Sequence, residues 1–300
     1  MKSFLGMNEL LSVVIAALNS EATIGRTLSS VLSNKFPKDN FEVILVDNGS
    51  TDNTVKIAKR YPVKNYSCTK RGQGAARNFG VTKARGEIIC FTDSDVVVAE
   101  DWLERISDFF RNHPYADGVG GPIFAPLRDH ANDLQKLEGE LYAKTHDFPT
   151  CMMECKFREK RNALYSANCA YRRNLLISSG GFDESGFDAV DIDLCWKLIL
   201  RGKRLMFDPE LKVFHLGFPS TLRGVFKQQV RWGESEARLK MKYSDSSGLK
   251  RKILSYHSLL LSFLRVFYSK RRTINLLHFF ENCAFNCGFV NAQLKAYRRH

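Results

Sequence analysis

The first half of the chain alternates short apolar runs with amphipathic ones. Residues 10–17, Leu-Leu-Ser-Val-Val-Ile-Ala-Ala, form a β-branched apolar run of the kind buried on both faces of a parallel sheet. From Thr23 to about Leu32, Ile24, Leu28, Val31 and Leu32 fall on one helical face. Residues 41–46 predict a second strand. The polar stretch 47–52, Asp-Asn-Gly-Ser-Thr-Asp, then supplies a turn and the cap of a helix predicted over 51–58. A short strand near Asn65 and Tyr66, a helix over 74–83 and a strand over 87–91 follow, and the last stops at Thr92-Asp93-Ser94-Asp95. Strands separated by helices make right-handed crossovers, so the pattern predicts an α/β, doubly wound, mainly parallel sheet. Ligands of such sheets bind at the carboxyl ends of the strands. Polar or acidic residues end the apolar runs at Asn19, Asp47, Asp93 and Asp95, which are expected to share one crevice.

The pattern loosens between 121 and about 163. Leu134, Leu137, Leu141 and Tyr142 keep helical spacing, and 148–161 reads as a loop. Order returns over 163–168, and a helix is predicted from about Ile192 to Leu200, ended by Gly202. Residues 205–207 and 213–215 are short strand candidates. There is no internal repeat and no low-complexity segment.

Composition is that of a globular chain, with 300 residues, 44% hydrophobic and 26% charged, which excludes wholesale disorder and rod-like folds. The formal charge of +13 points to an anionic partner. Its placement narrows the choice. Residues 249–300 carry ten Lys or Arg and one acid, Glu281, so the body is nearly balanced and the tail is not. A nucleic-acid binder accounts for the charge but not for acids at successive strand ends. Within the tail, Ser255, Ser258, Ser262, Arg265 and Ser269 make one narrow polar stripe on an otherwise apolar helix, followed by the basic turn Lys270-Arg271-Arg272. A second helical pattern carries Leu276, Leu277, Phe280, Cys283, Ala284 and Cys287. Two readings stand: a hairpin on an anionic membrane surface, or a helical pair packed on protein. No run reaches the ~20 apolar residues of a membrane span. Residues 1–11 lack a secretory pattern, and the eight scattered cysteines, without paired two-residue gaps, read as reduced cytosolic thiols. The expected location is cytoplasmic and peripheral on a membrane.

Candidate chemistry gathers on acids. Asp93 and Asp95, two residues apart after a buried strand, suit a divalent cation that would hold a diphosphate; the plainer reading is a helix cap and a surface acid. Asp47 suits a base or ribose contact, or a helix cap. Gly72, Gly74 and Arg77 sit on a turn into a helix, without the third glycine of a dinucleotide fingerprint. Asp188, Asp191 and Asp193 exceed what complementing a helix dipole needs, so one facing the crevice suits a general base. His215 is a ligand or a packed core histidine.

Taken in order, these segments resemble family 2 glycosyltransferases with the nucleotide-sugar-binding fold called GT-A, over about residues 10–232. The residues that carry the resemblance are Ser12 to Glu21, Glu42 to Asp52, Gly74-Ala75-Ala76-Arg77-Asn78, Thr92 to Asp95, Ser166 to Arg173 with Gly180-Gly181-Phe182-Asp183, Asp191 to Leu194, His215-Leu216-Gly217, and Gln228-Gln229-Val230-Arg231-Trp232. One departure stands out: Val190 occupies the place where the family usually has Glu before its base Asp. This leaves open a relative with weak or no transferase activity. A sugar-phosphate nucleotidyltransferase is a further alternative, although its glycine-rich Thr-Arg loop is missing after the first strand.

The resemblance implies a catalytic domain over 1–235 and a basic helical extension over 236–300. It implies inverting transfer from a nucleoside diphosphate sugar, with a UDP-sugar expected, to a glycan or lipid-linked acceptor. Asp191 is the implied base. Ala17, Asn19, Glu21, Asp47, Gly74, Arg77 and Asp93 are the implied donor contacts, with Arg77 on a phosphate or the base. Asp95 and His215 would hold Mn²⁺ or Mg²⁺, with Asp93 reaching the ribose and the metal shell. Asn168, Gln228, Arg231 and Trp232 form the implied acceptor side, where Trp232 serves equally as a packing aromatic.

Overall fold

The protein is described by a computed structural model that covers residues 10–124, 133–134, 137, 148–159, 163–217, 221–243 and 272–297. Chain order gives β1 (Leu11–Ala17), α1 (Ile24–Leu32), β2 (Phe41–Asp47), α2 (Thr54–Ala58), β3 (Lys64–Ser67), α3 (Gln73–Lys83), β4 (Ile88–Asp93), β5 (Val96–Val98) and α4 (Trp102–Asn112). Then follow β6 (Gly118–Gly120), β7 (Ile123–Phe124), β8 (Met153–Glu154), β9 (Cys169–Arg172), α5 (Arg173–Ser179), α6 (Val190–Leu200), β10 (Leu205–Phe207) and β11 (Val213–His215). Two long helices complete the order, α7 (Leu222–Tyr243) and α8 (Arg272–Tyr297).

An eight-stranded sheet runs in the order β3-β2-β1-β4-β9-β6-β10-β8. The first four strands are parallel, and β1 lies between β2 and β4 in the register Ala17↔Asp47 and Ala16↔Asp93. That register follows from composition. Val13, Val14 and Ile15 have no exposed surface, so both faces of β1 are covered and only a central position satisfies it. The chain goes outward from β1 to β3 and then crosses back to β4, so the order reverses beside β1 and opens a crevice at the carboxyl ends. A smaller sheet, β5-β11-β7, lies after β4 in sequence and carries His215 on its middle strand.

The sheet is mainly parallel as expected, with β9 antiparallel to both β4 and β6. Two expectations need correction. The stretch read as a loop over 148–161 contains β8, antiparallel to β10. The helix expected over 51–58 begins at Thr54, where the Asp52 carboxylate accepts from both the backbone N–H and the hydroxyl of Thr54. Asn53 is the N-cap residue, and Asp52 just before it receives the first helical N–H, so Asp47 has no part in ending this helix.

The chain divides into two compact units, within 1–127, 146–186 and 190–217 for the first and 128–145, 187–189 and 218–300 for the second. The boundary expected between 235 and 236 falls inside α7. In the second unit α7 and α8 pack closely: a Cβ on Gly233 would run into the Phe285 carbonyl, and one on Gly288 into that of Val230. Gln229 donates to Glu281 at 3.3 Å, and Asn291 and Lys295 both donate to Glu234. The polar stripe over 253–269 lies outside the described residues, as do Leu141 and Tyr142 of the helical spacing. No helix among the described residues is long and apolar enough to cross a membrane.

Candidate active site

Loops at the carboxyl ends of β1 and β2 are knitted together before any ligand is considered. Asn19 holds a left-handed backbone (φ 51°), and its side-chain oxygen accepts from the Thr51 N–H at 2.8 Å. Glu21 accepts from the N–H and the side-chain amide of Asn53, and its own N–H donates to Asp52. The Asp47 carboxylate, 8% exposed, accepts from the N–H groups of Gly49 and Ser50. Ala17 adds its carbonyl, which accepts from Asn48 N–H at 2.9 Å. Asn19 and Glu21, expected to touch the donor, tie these two loops to each other.

Two residues at this end carry no expected role, Asn48 and Arg71. Asn48 donates to the carbonyls of Cys68 and Lys70 and accepts from Gly72 N–H. Arg71 donates to the carbonyls of Asn48 and Gly49, beside the positive-φ Gly49. The Asn-Gly pair directly after Asp47 is the sequence signal for this turn; nothing in the sequence singles out Arg71.

The turn after β4 is held by α1. Thr23 and Thr27 both donate to the Ser94 carbonyl, at 2.9 and 3.0 Å, and the Ser20 and Ser94 hydroxyls meet at 2.7 Å. This fixes the flanking acids. Asp93, Asp95 and His215 each bring one ligand atom within 4.8 Å of the others. His215 Nε2 lies 3.5 Å from Asp95 Oδ1, and Nδ1 accepts from Gly217 N–H at 3.2 Å. Asp95 also anchors the strand, since its carbonyl accepts from Leu216 N–H at 2.6 Å. Burial raises the Asp95 carboxyl above its ordinary value, His215 opposes that rise, and Asp93 adds to it. Two carboxylates and an imidazole suit Mn²⁺ or Mg²⁺. Gly217 fits the same purpose, because a Cβ there would collide with Asp95 Oδ2 and push it out of the cluster.

Arg77 reaches this cluster from behind. Its guanidinium is 3% exposed, donates to Asp93 Oδ1 at 2.7 Å and to Gln73 at 3.0 Å, and lies over the Phe182 ring at 5.6 Å. Arg77, expected to contact a phosphate or the base, is paired with Asp93. Gly74 is explained by packing: a Cβ would strike the Asp183 carbonyl. Asn78 ties that same loop, accepting from Phe182 N–H and donating to the Phe182 carbonyl and Glu184.

Of the three acids near the start of α6, each has a different setting. Asp193 has no exposed surface. Asp188 belongs to the second unit, where it pairs with Arg231 at 3.4 Å and its N–H donates to Ser235. Asp191 is half-buried; one oxygen accepts from the N–H and hydroxyl of Ser166, the other from Ile192 N–H at 2.8 Å. Burial raises its carboxyl above the ordinary value, Arg77 and the N–H donors pull it back, and Asp93 raises it further. A carboxylate with raised proton affinity is what a general base needs. Val190 before it is buried at the start of the helix.

Asn168 departs from expectation. It is fully buried, accepts from Trp102 Nε1 at 2.8 Å, and donates to the carbonyls of Pro122 and Leu211 at 3.0 and 2.6 Å. With all these groups satisfied internally, it braces the fold and offers nothing to an acceptor. Gln228, Arg231 and Trp232 lie on α7, with Trp232 41% exposed.

The fold is a mainly parallel α/β sheet with acids gathered at the carboxyl ends of its strands, and comparison with known proteins gives the family. The model of glycosyl transferase family 2 matches residues 12–177, and the chain belongs to that family. It is 27% identical over 234 residues to a poly-beta-1,6-N-acetyl-D-glucosamine synthase of Staphylococcus aureus, covering 75% of this chain and 54% of the relative. The chain thus spans about half the length of the curated relatives it matches. Among solved structures, a mannosyltransferase from Pyrobaculum calidifontis in complex with GDP-Man and Mn²⁺ superposes with a TM-score of 0.63 at 17% identity, covering 93% of this chain and 87% of that one. S. aureus TarS 1–349 in complex with UDP-GlcNAc gives 0.58 at 19%, covering 97% and 92%. At such identities the likeness establishes the GT-A fold.

Proposed function

We propose that the protein transfers a sugar from a nucleoside diphosphate sugar to an acceptor hydroxyl, inverting the anomeric carbon, in the synthesis of a polysaccharide or glycoconjugate. The observation that carries this reading is Asp191, a half-buried carboxylate at the start of α6 held by the N–H and hydroxyl of Ser166 and by Ile192 N–H. Asp191 takes the proton of the acceptor hydroxyl as that oxygen attacks the anomeric carbon. General-base help of this kind is typically worth about 10²–10⁴-fold. A single displacement inverts the centre and needs no covalent intermediate.

Asp47 and the loops at Ala17, Asn19 and Glu21 hold the nucleoside, and Asp93 reaches the ribose. Asp93, Asp95 and His215 would hold Mn²⁺ or Mg²⁺, and the ion would supply Lewis-acid stabilisation of the leaving diphosphate. A UDP-sugar is the favoured donor, since relatives that the chain matches include poly-beta-1,6-N-acetyl-D-glucosamine synthases and one structural neighbour was solved with UDP-GlcNAc. The acceptor is a glycan or lipid-linked sugar that meets Gln228, Arg231 and Trp232. The basic segment after 235 addresses the protein to an anionic membrane face in the cytoplasm, and no nucleic acid is a partner.

The reading is tested by incubating the purified chain with UDP-, GDP- and dTDP-sugars, with Mn²⁺, with Mg²⁺ and with EDTA. Consumption of a UDP-sugar that stops in EDTA is expected. Equal rates in EDTA would remove the metal, and no turnover of any donor with candidate glycan acceptors would remove the transferase.

A further inference from the structure

We propose that α8 pairs with the same helix of a second copy of this chain, along an apolar stripe that α7 leaves uncovered. The helix carries two apolar faces. One meets α7: Leu277, Ala284, Phe289 and Ala292 are buried, Glu281 accepts from Gln229, and Lys295 donates to Glu234. The other consists of Leu276, Phe280, Cys283, Cys287 and Val290, at steps of 4, 3, 4 and 3 residues. On a helix these positions fall within an arc of about 80°, centred about 130° from the face that meets α7. Alternating steps of four and three are the spacing of a helix–helix seam. Leu276 is 55% and Val290 45% exposed, and Cys287 is exposed between them. Phe226 on α7, whose ring lies 5.8 Å from that of Phe280, and the exposed Leu222 one turn before it widen the stripe at its N-terminal end.

The chemistry of the stripe selects its occupant. After Arg272, the acidic and basic side chains of α8 are Glu281 and Lys295, and both are engaged with α7. A helix lying in a membrane interface is rich in Lys and Arg beside its apolar face. Beside this stripe stand the neutral Asn282, Asn286 and Gln293. The basic residues of the tail lie off the stripe, so pairing leaves them available to an anionic membrane face. A second copy presents the same uncharged surface, which no like-charge repulsion opposes, and a two-fold axis makes the surface self-complementary. The exposed parts of these side chains come to roughly 500 Å² per copy, of the size that marks an interaction site. A pair then buries about 1,000 Å², the lower bound of a specific interface, and a dissociation constant of ~1–100 µM is expected. A two-fold pair centred on the stripe sets Cys283, its middle position, against its own counterpart whether the helices run parallel or antiparallel.

The test is sedimentation velocity on the full chain from about 1 to about 200 µM, where the wild type should pass from monomer to dimer. Leu276→Glu combined with Val290→Glu sets like charges against each other across the axis and should weaken the dimer at least roughly tenfold. In a chain with Cys151→Ser and Cys287→Ala, Cys283 is the thiol left outside the buried set, and a short bismaleimide should join it to its counterpart. A wild type that stays monomeric at the highest concentration overturns the proposal; if it then binds phosphatidylglycerol vesicles and the Glu variant does not, the stripe belongs to lipid. A dimer that the Glu substitutions weaken less than tenfold, or that forms without the Cys283 cross-link, also overturns it, because the contact then lies elsewhere. Should the Glu variant fail to fold by circular dichroism, the Cys283 cross-link decides by its presence or absence. None of these outcomes depends on transferase activity.

Discussion

Asn168→Ala separates a bracing role from an acceptor contact. Asn168 has no exposed surface, and its amide joins Trp102 of α4 to the carbonyls of Pro122 and Leu211. Truncation leaves one buried N–H and two carbonyls without that partner. An orphaned buried group costs about 1–3 kcal/mol. The Pro122 carbonyl keeps the Val213 N–H at 3.3 Å, so two groups are orphaned; together they reach the upper end of what single substitutions do, and a water admitted to the space recovers part. We expect a loss of about 3–5 kcal/mol, a large share of an ordinary domain's stability. In urea unfolding followed by far-UV circular dichroism, with an m value of about 3 kcal/mol/M, the midpoint falls by roughly 1–1.7 M. Asn168→Asp keeps the acceptor for Trp102 but sets a carboxylate against two carbonyls, so it should lose at least as much. Below the unfolding transition, the acceptor KM of the folded variant should be unchanged. A midpoint shift under about 0.3 M together with a raised acceptor KM would refute the bracing role.

Other consequences follow from single contacts. Burial alone would raise the Glu42 carboxyl, but Lys64, the N–H and guanidinium of Arg85 and the Ser12 hydroxyl hold it down at about 2 against an ordinary 4.5. Its stabilisation is present in full above pH 4.5 and lost as pH falls toward 2. With Lys64 and Arg85 partly in solvent, we set it at roughly 1–3 kcal/mol, so the gap between wild type and Glu42→Gln in urea should close over that range. Gly233→Ala drives a Cβ into the Phe285 carbonyl and should cost about 1–3 kcal/mol of the α7–α8 pairing, read as a fall in thermal midpoint. His215→Ala should weaken Mn²⁺ binding in the presence of UDP by at least about tenfold, by calorimetry.

The parallel half of the sheet is legible in the sequence because its strands are continuous apolar runs bounded by polar turns, and β10 and β11 emerge as predicted. β8 and β9 are not, since two- and four-residue strands gain their identity from partners far along the chain, β10 for the one and β4 and β6 for the other. The acids at strand ends are legible for the same reason as the strands: a carboxylate after a buried run has only the crevice to face. Asn168 misleads because it lies two residues from the Ser166 that holds Asp191, and a sequence does not reveal that one buried turn residue is spent on Trp102 and two carbonyls while the other meets Asp191. Arg77 is a related case. Its place on the helix is legible, but the choice between a ligand phosphate and Asp93 depends on where Phe182 and Asn78, about a hundred residues apart in sequence, bring the chain together.

The central claim is that Asp191 moves the acceptor proton while the donor is held by other groups. Asp191→Asn should leave UDP and UDP-sugar binding within about twofold of the wild type by calorimetry and abolish measurable transfer. In the wild type, kcat/KM should fall as pH drops through the raised range of a buried carboxyl, because the base is competent only when ionised. Transfer by Asp191→Asn within tenfold of wild type, or loss of donor binding in its place, would contradict the account.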